Sequence, residues 1–355
     1  MKIYEKKFLA ECTEVFFAIF LVLAVFMLSG VGLRLLQQAG KEGFGTPELL
    51  VLLVLYGMRF VPILLSGAAL TALALVWDRM RQDREILAWI SSGLGLWGFA
   101  RPVIFFSIPI ILGVGALSFF FAPWATRKMD KFRLEIVKEA QKKIMTPGVF
   151  TPLPGGGYFF IERSDLKNFT FSGAFYADED KGVDTVLWAR DGIAQLLGDG
   201  SMSIEFYAGN RYDFKDQEIR ELSFSGYRTL MPPPRIVTKG PGVDRKPLAE
   251  LFKERNASAF SEILRRASQP LSFFIVALFT VGAMPFDPKA NRAFYILTTL
   301  LLYFFYFNLQ NVAFALGLRG EIHPLWSFGV LHAAMALFVA GLFWHRKAFF
   351  FQERH

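Results

Sequence analysis

Apolar and polar positions divide this chain into three zones: long apolar runs at both ends and a mixed, largely polar stretch between them. Six runs approach or exceed the length needed to cross about 30 Å of hydrocarbon as helices. They fall at roughly residues 13–33, 47–77, 102–122, 270–286, 293–318 and 324–344, the fourth being the shortest. Thr46, Pro47 and Glu48 read as a capping hydroxyl, a first-turn proline and a first-turn acid. Pro102, Pro270 and Pro324 each open a run, where a missing N–H is harmless. In the middle zone the pattern shortens to β-type runs at 158–163, 168–178, 184–190, 203–214 and 219–227, punctuated by Gly, Asp and Asn. That spacing predicts a sandwich or jelly roll. A basic helical stretch (127–143) leads into these strands, Pro232–Pro234 stop the last of them, and 239–255 reads as a polar connector.

The predicted fold class is therefore α-helical membrane protein, six transmembrane helices, with an all-β jelly-roll insert between helices three and four. The expected division is 1–122, 123–269 and 270–355. Composition agrees: 53% of 355 residues are hydrophobic and 40 are Phe, against about 45–50% apolar for a soluble domain. The first run is too long for a signal-peptide core and lacks a small-residue cleavage site, so it is expected to stay as an anchor. The single cysteine, Cys12, rules out an internal disulfide and a CxxC site,.

Charge in the short loops orients the spans. One side holds Lys2, Lys6, Lys7, Arg79, Arg81, Arg84, Arg101, Lys289, Arg292, Arg346, Lys347 and Arg354; the other holds Arg34, Lys41 and Arg319. Both termini are thus expected in the cytoplasm, with the insert outside. Catalytic signals are lacking: there is no HExxH, GxSxG, Walker lysine or paired-carboxylate spacing. The four histidines (His323, His332, His345, His355) are too scattered for a metal site, and His332 reads as a packing or hydrogen-bonding residue. Asn308 and Asn311, three apart in the fifth run, read as interhelical hydrogen bonders,.

The segment DRMRQDREILAWISSGLG (78–95) interrupts the apolar pattern on the cytoplasmic side. Residues 83–92 form a short helix in this reading, with Asp83 as cap, an apolar surface from Ile86, Leu87, Trp89 and Ile90, and Gly93 as stop,. Two roles fit it: an interfacial helix whose arginines meet anionic lipid, or a coupling helix that enters a groove on a cytoplasmic partner, with Glu85 pairing to a base there.

Six helices, a β insert after the third, and DREILAWISSGL together resemble the LptF/LptG family of lipopolysaccharide export permeases. So do RPVIFFSIPIILGVGALSFFFAPWA (101–125), SEILRRASQP (261–270), MPFDP (284–288) and GEIHPLW (320–326). The similarity covers nearly the whole chain, and GNRYDF and ELSFSGY lie nearer the LptF branch. Two departures are Asp287-Pro288-Lys289 where the family has Asn-Pro-Arg, and a shifted second-helix proline. The resemblance implies a permease subunit, not an enzyme, with a homologous LptG-like permease as partner. It implies a cytoplasmic LptB-like ATPase dimer that binds the ATP, an LptC-like jelly-roll protein outside, and lipopolysaccharide drawn from the bacterial inner membrane. No cofactor belongs to the chain itself, and no nucleic-acid partner is implied. It places Glu85 in the ATPase groove, flanked by Asp83, Arg84 and Trp89.

Basic residues against the orientation bias are the candidate lipid contacts: Arg34, Lys41, Arg59, Arg127, Arg133, Arg266 and Arg319, with Lys128, Lys131 and Arg265 near them. Arg34 matches a family position implicated in lipopolysaccharide contact. Arg59 lies about 18 Å into its helix at 1.5 Å per residue, where charge is costly. A phosphorylated glycolipid entering from the outer leaflet needs such a collar, because its phosphates cannot remain unpaired at low dielectric. Arginines snorkelling to headgroups are the plainer alternative. Two other classes compete: a mechanotransmission permease that regulates a periplasmic partner without moving lipid, and an intramembrane enzyme. The aromatic strands (Phe159, Phe160, Phe169, Phe171, Phe175, Tyr176, Phe206, Tyr207) predict an insert with a lipid-accessible apolar interior instead of a filled core.

Overall fold

In the computed structural model the described residues are 2–42, 46–152, 157–165, 168–180, 183–197, 201–215, 218–231, 242–285, 287 and 291–352. Helices α1 (Ile3–Glu42), α2 (Thr46–Gln82) and the short α3 (Glu85–Ser91) precede α4 (Leu96–Ala116). A π-turn (Leu117–Phe121) carries α4 into α5 (Ala122–Ile144). Six strands follow: β1 (Thr151–Pro152), β2 (Tyr158–Asp165), β3 (Thr170–Asp180), β4 (Val183–Leu196), β5 (Met202–Lys215) and β6 (Glu218–Met231). The chain closes with α6 (Leu248–Glu254), α7 (Ala257–Ala283), α8 (Arg292–Arg319) and α9 (Pro324–Gln352). Six helical segments are long and apolar enough to span a membrane, within α1, α2, α4–α5, α7, α8 and α9.

Two prolines do not start helices as expected. Pro102 lies inside α4 and Pro270 inside α7. Within an apolar bundle, neighbouring helices and side chains absorb a missing hydrogen bond, and α7 begins thirteen residues earlier, capped by Asn256 Oδ1 accepting from Ala259 N at 2.7 Å. The polar connector contains a 3₁₀ turn (Val243–Arg245) and α6. The chain accordingly divides into a helical unit (Met1–Gly32, Leu53–Arg127, Pro241–His355) and a second unit (Leu33–Leu52, Lys128–Gly240). Residues 241–269, expected with the insert, belong to the helices. Pro232–Pro234 lie outside the described residues.

The helical core lies toward the α3 end of the spans, around Ala68, Ala69, Leu70, Ala72, Leu73, Ala74, Trp77, Phe99, Val103, Phe273 and Val276, all buried. His332 is a hydrogen-bonding residue: Nε2 lies 2.7 Å from Ser268 Oγ, and Nδ1 meets Tyr306 Oη. Asn308 differs from expectation, donating to Phe304 O one turn back in its own helix.

The five expected strands all form, joined by β1, in one antiparallel sheet ordered β1 to β6. One row is skipped in each of the four ladders from β2 to β6: Glu162, Gly173, Arg190, Ala208 and Ser225. Gly173 (φ 64°) and Ala208 (φ 49°) there adopt left-handed backbone, which breaks the pleat. The sheet folds over along this row. Phe159 on β2 and Phe206 on β5 are three strands apart, about 14 Å in a flat sheet, yet their rings lie 6.2 Å apart. The jelly roll is thus a meander folded into two facing halves. Phe159 also meets Phe171 edge-on at 5.7 Å, and Phe171 meets Phe206 at 5.8 Å, all three buried. On either side of the skipped row neighbouring aromatics alternate: Phe160, Phe175 and Tyr207 lie on the faces opposite Phe159, Tyr176 and Phe206. This overturns the open-interior expectation. The two halves close on one another because inward rings from both meet edge to face, and the core is filled.

Candidate functional site

At the end of the helical unit opposite α3, charged side chains converge on a cavity of 470 Å³. One turn into α7, Glu262 is fully buried and accepts from two arginines. Arg265 Nε and Nη2 reach its two oxygens at 2.7 Å each, and Arg266 Nε reaches Oε1 at 2.7 Å. The i,i+3 and i,i+4 spacings place all three on one helix face. Arg266 Nη2 donates to the carbonyls of Asp244 (3.2 Å) and Lys246 (3.0 Å), stitching the connector to α7. Its Nη1 is buried with no hydrogen-bond partner among the described residues. Arg59, half-exposed on α2, lies 3.8 Å from Asp244 Oδ2. Arg265 lies over the Phe314 ring at 5.1 Å. The π-turn brings in Ser118, whose hydroxyl donates to Gln269 Oε1. Three guanidiniums (Arg59, Arg265, Arg266) face two carboxylates (Asp244, Glu262), three minus two, leaving one net positive charge in the cavity. Such a cavity can hold one anionic group, most strongly a phosphate oxygen.

Of the seven candidate lipid contacts, Arg59 and Arg266 line this cavity. Arg266 is 1% exposed and committed to Glu262 and the connector, which makes it an internal tie and withdraws it from direct lipid contact. Arg127 Nη1 donates to Arg245 O at 3.2 Å on the same connector. Arg319 is exposed beside Glu321 at 3.6 Å, next to the lining residue Leu318 but not itself in the lining. Arg34 and Arg133 belong to the second unit; Arg34 is exposed. The Lys41 side chain lies outside the described residues. Glu262 and Asp244 are the cavity members that the apolar pattern left out of the site, and Arg265, read only as a neighbour of the candidate contacts, lines it directly. The Glu262–Arg266 spacing was the signal, hidden by reading Pro270 as a helix start.

At the opposite end, α3 begins at Glu85 without the expected cap. Arg84 takes a left-handed conformation (φ 58°), and no side chain caps the helix; Asp83 instead accepts from Arg79 at 2.8 Å. The stop is as read: Gly93 has φ 84°, its N–H donates to Ile90 O, and the Leu94 N–H donates to Trp89 O. Those two bonds satisfy the final carbonyls of the helix. Trp89 turns inward, edge-on to Tyr4 at 4.7 Å and stacked on Phe99 at 5.5 Å. Leu87, Arg84 and Ala88 face outward. Glu85 Oε1 accepts from Lys7 Nζ (2.9 Å) and Arg79 Nη1 (3.0 Å), while no donor among the described residues reaches Oε2. Burial pushes the Glu85 carboxyl up, but the hydrogen bonds from Lys7 and Arg79 outweigh it and hold the group below the ordinary carboxylate range. Arg79 also donates to Glu11 Oε2 at 2.5 Å, so one guanidinium ties α1 and α2 to α3. Among the described residues no group of His, Cys, Asp and Glu could hold a metal ion.

Among the described residues, six helices long and apolar enough to cross a membrane, interrupted by a folded β-meander, define a multi-pass membrane protein with a β insert. A family model described as "Lipopolysaccharide export system permease LptF/LptG" matches residues 7–345; the chain belongs to that family. Similar curated relatives are the "Lipopolysaccharide export system permease protein LptF" of Escherichia coli K12 and its counterparts in E. coli O157:H7 and Shigella flexneri. Each is 20% identical over 328 residues, 90% of this chain and 89% of the relative.

Proposed function

We propose that this chain is a permease subunit of an ABC transporter that draws lipopolysaccharide from the bacterial inner membrane and passes it toward a periplasmic bridge. The observation that carries the reading is the net-positive cavity of Arg59, Arg265 and Arg266 in a chain matched along its length by the export-permease family. In this reading both termini are cytoplasmic and the β insert is periplasmic. Arg59 and Arg265 bind the lipid's anionic groups at the cavity of the helical unit, and Arg34 and Lys41 are further lipid contacts in this reading. A homologous LptG-like permease completes the lipid cavity, an LptC-like jelly roll receives the lipid, and an LptB-like ATPase dimer binds the ATP. Glu85 docks into that ATPase, held in place by Lys7 and Arg79 with Oε2 left to face the partner.

The filled β core favours one competing reading, a mechanotransmission permease that moves the insert without passing lipid through it. If acyl chains travel between the halves of the sheet, the Phe159–Phe171–Phe206 contact must part. One experiment addresses both readings: lipopolysaccharide retained by the assembled complex is measured for Arg34→Glu and Arg59→Glu, with photo-crosslinkers at Phe171 and Phe206. Lipid loss in both variants, and ATP-dependent adducts at those positions, support export through the insert. Parent-level lipid with no adducts would leave the mechanotransmission reading standing.

A further inference from the structure

A second cavity, of 890 Å³, lies between α4, α7 and α9. Helices α4 and α9 both pack on α7 and hardly touch one another, so α7 forms the floor of a groove with two walls. The floor carries Leu271, Phe274, Ile275 and Leu278; the walls are hollowed by Gly98 on α4 and by Ala336 and Ala340 on α9. Among the described residues no charged side chain lines it. From Gly95 to Ile104 on α4, and from Trp344 back to Ala336 on α9, the groove extends about 12 Å at 1.5 Å per residue, starting at the α3 end of the bundle.

Two features say what lies in it. Trp97 and Trp344 stand at its α3 end, 75% and 79% exposed, where indoles mark the level of lipid headgroups. Arg101 is on the same exposed face of α4, one turn beyond Trp97. Its side chain is 63% exposed, and its only ionic contact among the described residues is Nε to Glu5 Oε1 at 3.8 Å. Its terminal nitrogens are open to an acceptor. A long arginine so placed reaches back to the headgroup level, and a guanidinium there recognises phosphate. An apolar slot with a cation and two indoles at one end matches a molecule with an acyl chain and a phosphate. A partner helix would instead need an anionic residue at the level of Arg101 and a small-residue face to fit between the two indoles.

We propose that this groove is a binding site for one glycerophospholipid of the leaflet at the α3 end, its acyl chain lying on α7 and its phosphate on Arg101. The site is separate from the arginine cavity and does not depend on the export reading. Because α3 and the groove share α4 as a wall, a seated lipid fixes the spacing of α4 and α9 beside the proposed docking helix.

The test uses the full-length chain in detergent, titrated with dioleoylphosphatidylglycerol and read by native mass spectrometry. The parent is expected to retain one lipid per chain through detergent exchange. Ala340→Trp, which fills the slot, is expected to abolish that retention, and Arg101→Gln to weaken it about tenfold. Equal retention by parent and both variants would mean bulk boundary lipid and would overturn the proposal. So would an Ala336→Cys variant that crosslinks to another polypeptide in native membranes. Should Ala340→Trp fail to fold, quenching by brominated dioleoylphosphatidylglycerol decides the matter. A saturable component in the parent that disappears in Trp97→Phe/Trp344→Phe sustains the site, and quenching of unchanged form in the double variant rejects it.

Discussion

Two arginine–carboxylate clusters occupy opposite ends of the helical unit, built from the same chemistry and separated by burial. At Glu262 both carboxylate oxygens are taken, its side chain is fully enclosed, and Arg266 is 1% exposed. At Glu85 one oxygen is taken twice and the other is left open, with Lys7 and Arg79 side chains 61% and 36% exposed. A buried pair cannot exchange partners, because removing either ion strands the other at low dielectric. An exposed pair exchanges freely, since water and salt already compete for it. The first cluster is therefore suited to fix a connector and present a standing charge. The second is suited to hold a carboxylate ready for a different cation.

The largest effect should come from Glu262→Ala, which leaves Arg265 and Arg266 without their shared carboxylate. Breaking a buried pair costs about 3–5 kcal/mol, so unfolding in detergent, followed by tryptophan fluorescence, should begin at clearly lower temperature. Adding Arg266→Leu should recover part of the loss, because the stranded charge is then gone. If Glu262→Ala unfolds like the parent, the burial contrast between the clusters is wrong.

Arg79→Ala makes the opposite demand on the other cluster. These pairs are only partly exposed, the Glu11 and Glu85 side chains at 22% and 24%, but solvent-screened pairs are worth about 0–1 kcal/mol each. Thermal unfolding should therefore move far less than in Glu262→Ala, although contacts to Glu11, Asp83 and Glu85 all vanish. Association with the ATPase should nonetheless weaken, because Glu85 loses the group that aims it. Glu85→Ala should weaken it further, by tenfold or more, if its contact there is a charge-assisted bond of about 1.5–3 kcal/mol. ATPase co-purification undiminished in both variants would return α3 to an interfacial helix.

The spans and strands were legible because each rests on a period or a length that one segment carries alone. Runs of apolar residues long enough for a bilayer, and alternation along 158–163 or 203–214, need no knowledge of the partner element. What was not legible depends on exceptions to local rules. Pro270 reads as a start because proline lacks an N–H, yet α7 runs through it; that misreading hid Glu262, Arg265 and Arg266 as one helical face. Asp83 reads as a cap, but Arg84 turns left-handed before α3 and sends Asp83 to Arg79. The filled β core was missed because the fold line through Gly173 and Ala208 is a property of five strands together. Asp244 could not be placed beside Arg59 at all, since the connector that carries it has no period to read.

The smallest and sharpest effect concerns protons. Glu85 has a folded-state pKa held below the ordinary 4.5 by Lys7 and Arg79. A carboxylate with a lowered pKa binds fewer protons when folded than when unfolded, so its contribution is fully present above the ordinary value. It is lost as pH falls through the lowered one. Titration of carbon-13-labelled glutamate in the intact chain should therefore show Glu85 ionised throughout the neutral range, with its midpoint on the acid side of 4.5. In Arg79→Ala that midpoint should move up, because one hydrogen bond and one positive charge are removed while Lys7 remains; in the Lys7→Ala/Arg79→Ala double variant it should move up further. A midpoint indifferent to both substitutions would mean that the cations do not hold Glu85 in solution. The contrast with the fully committed Glu262 would then lose its exposed half.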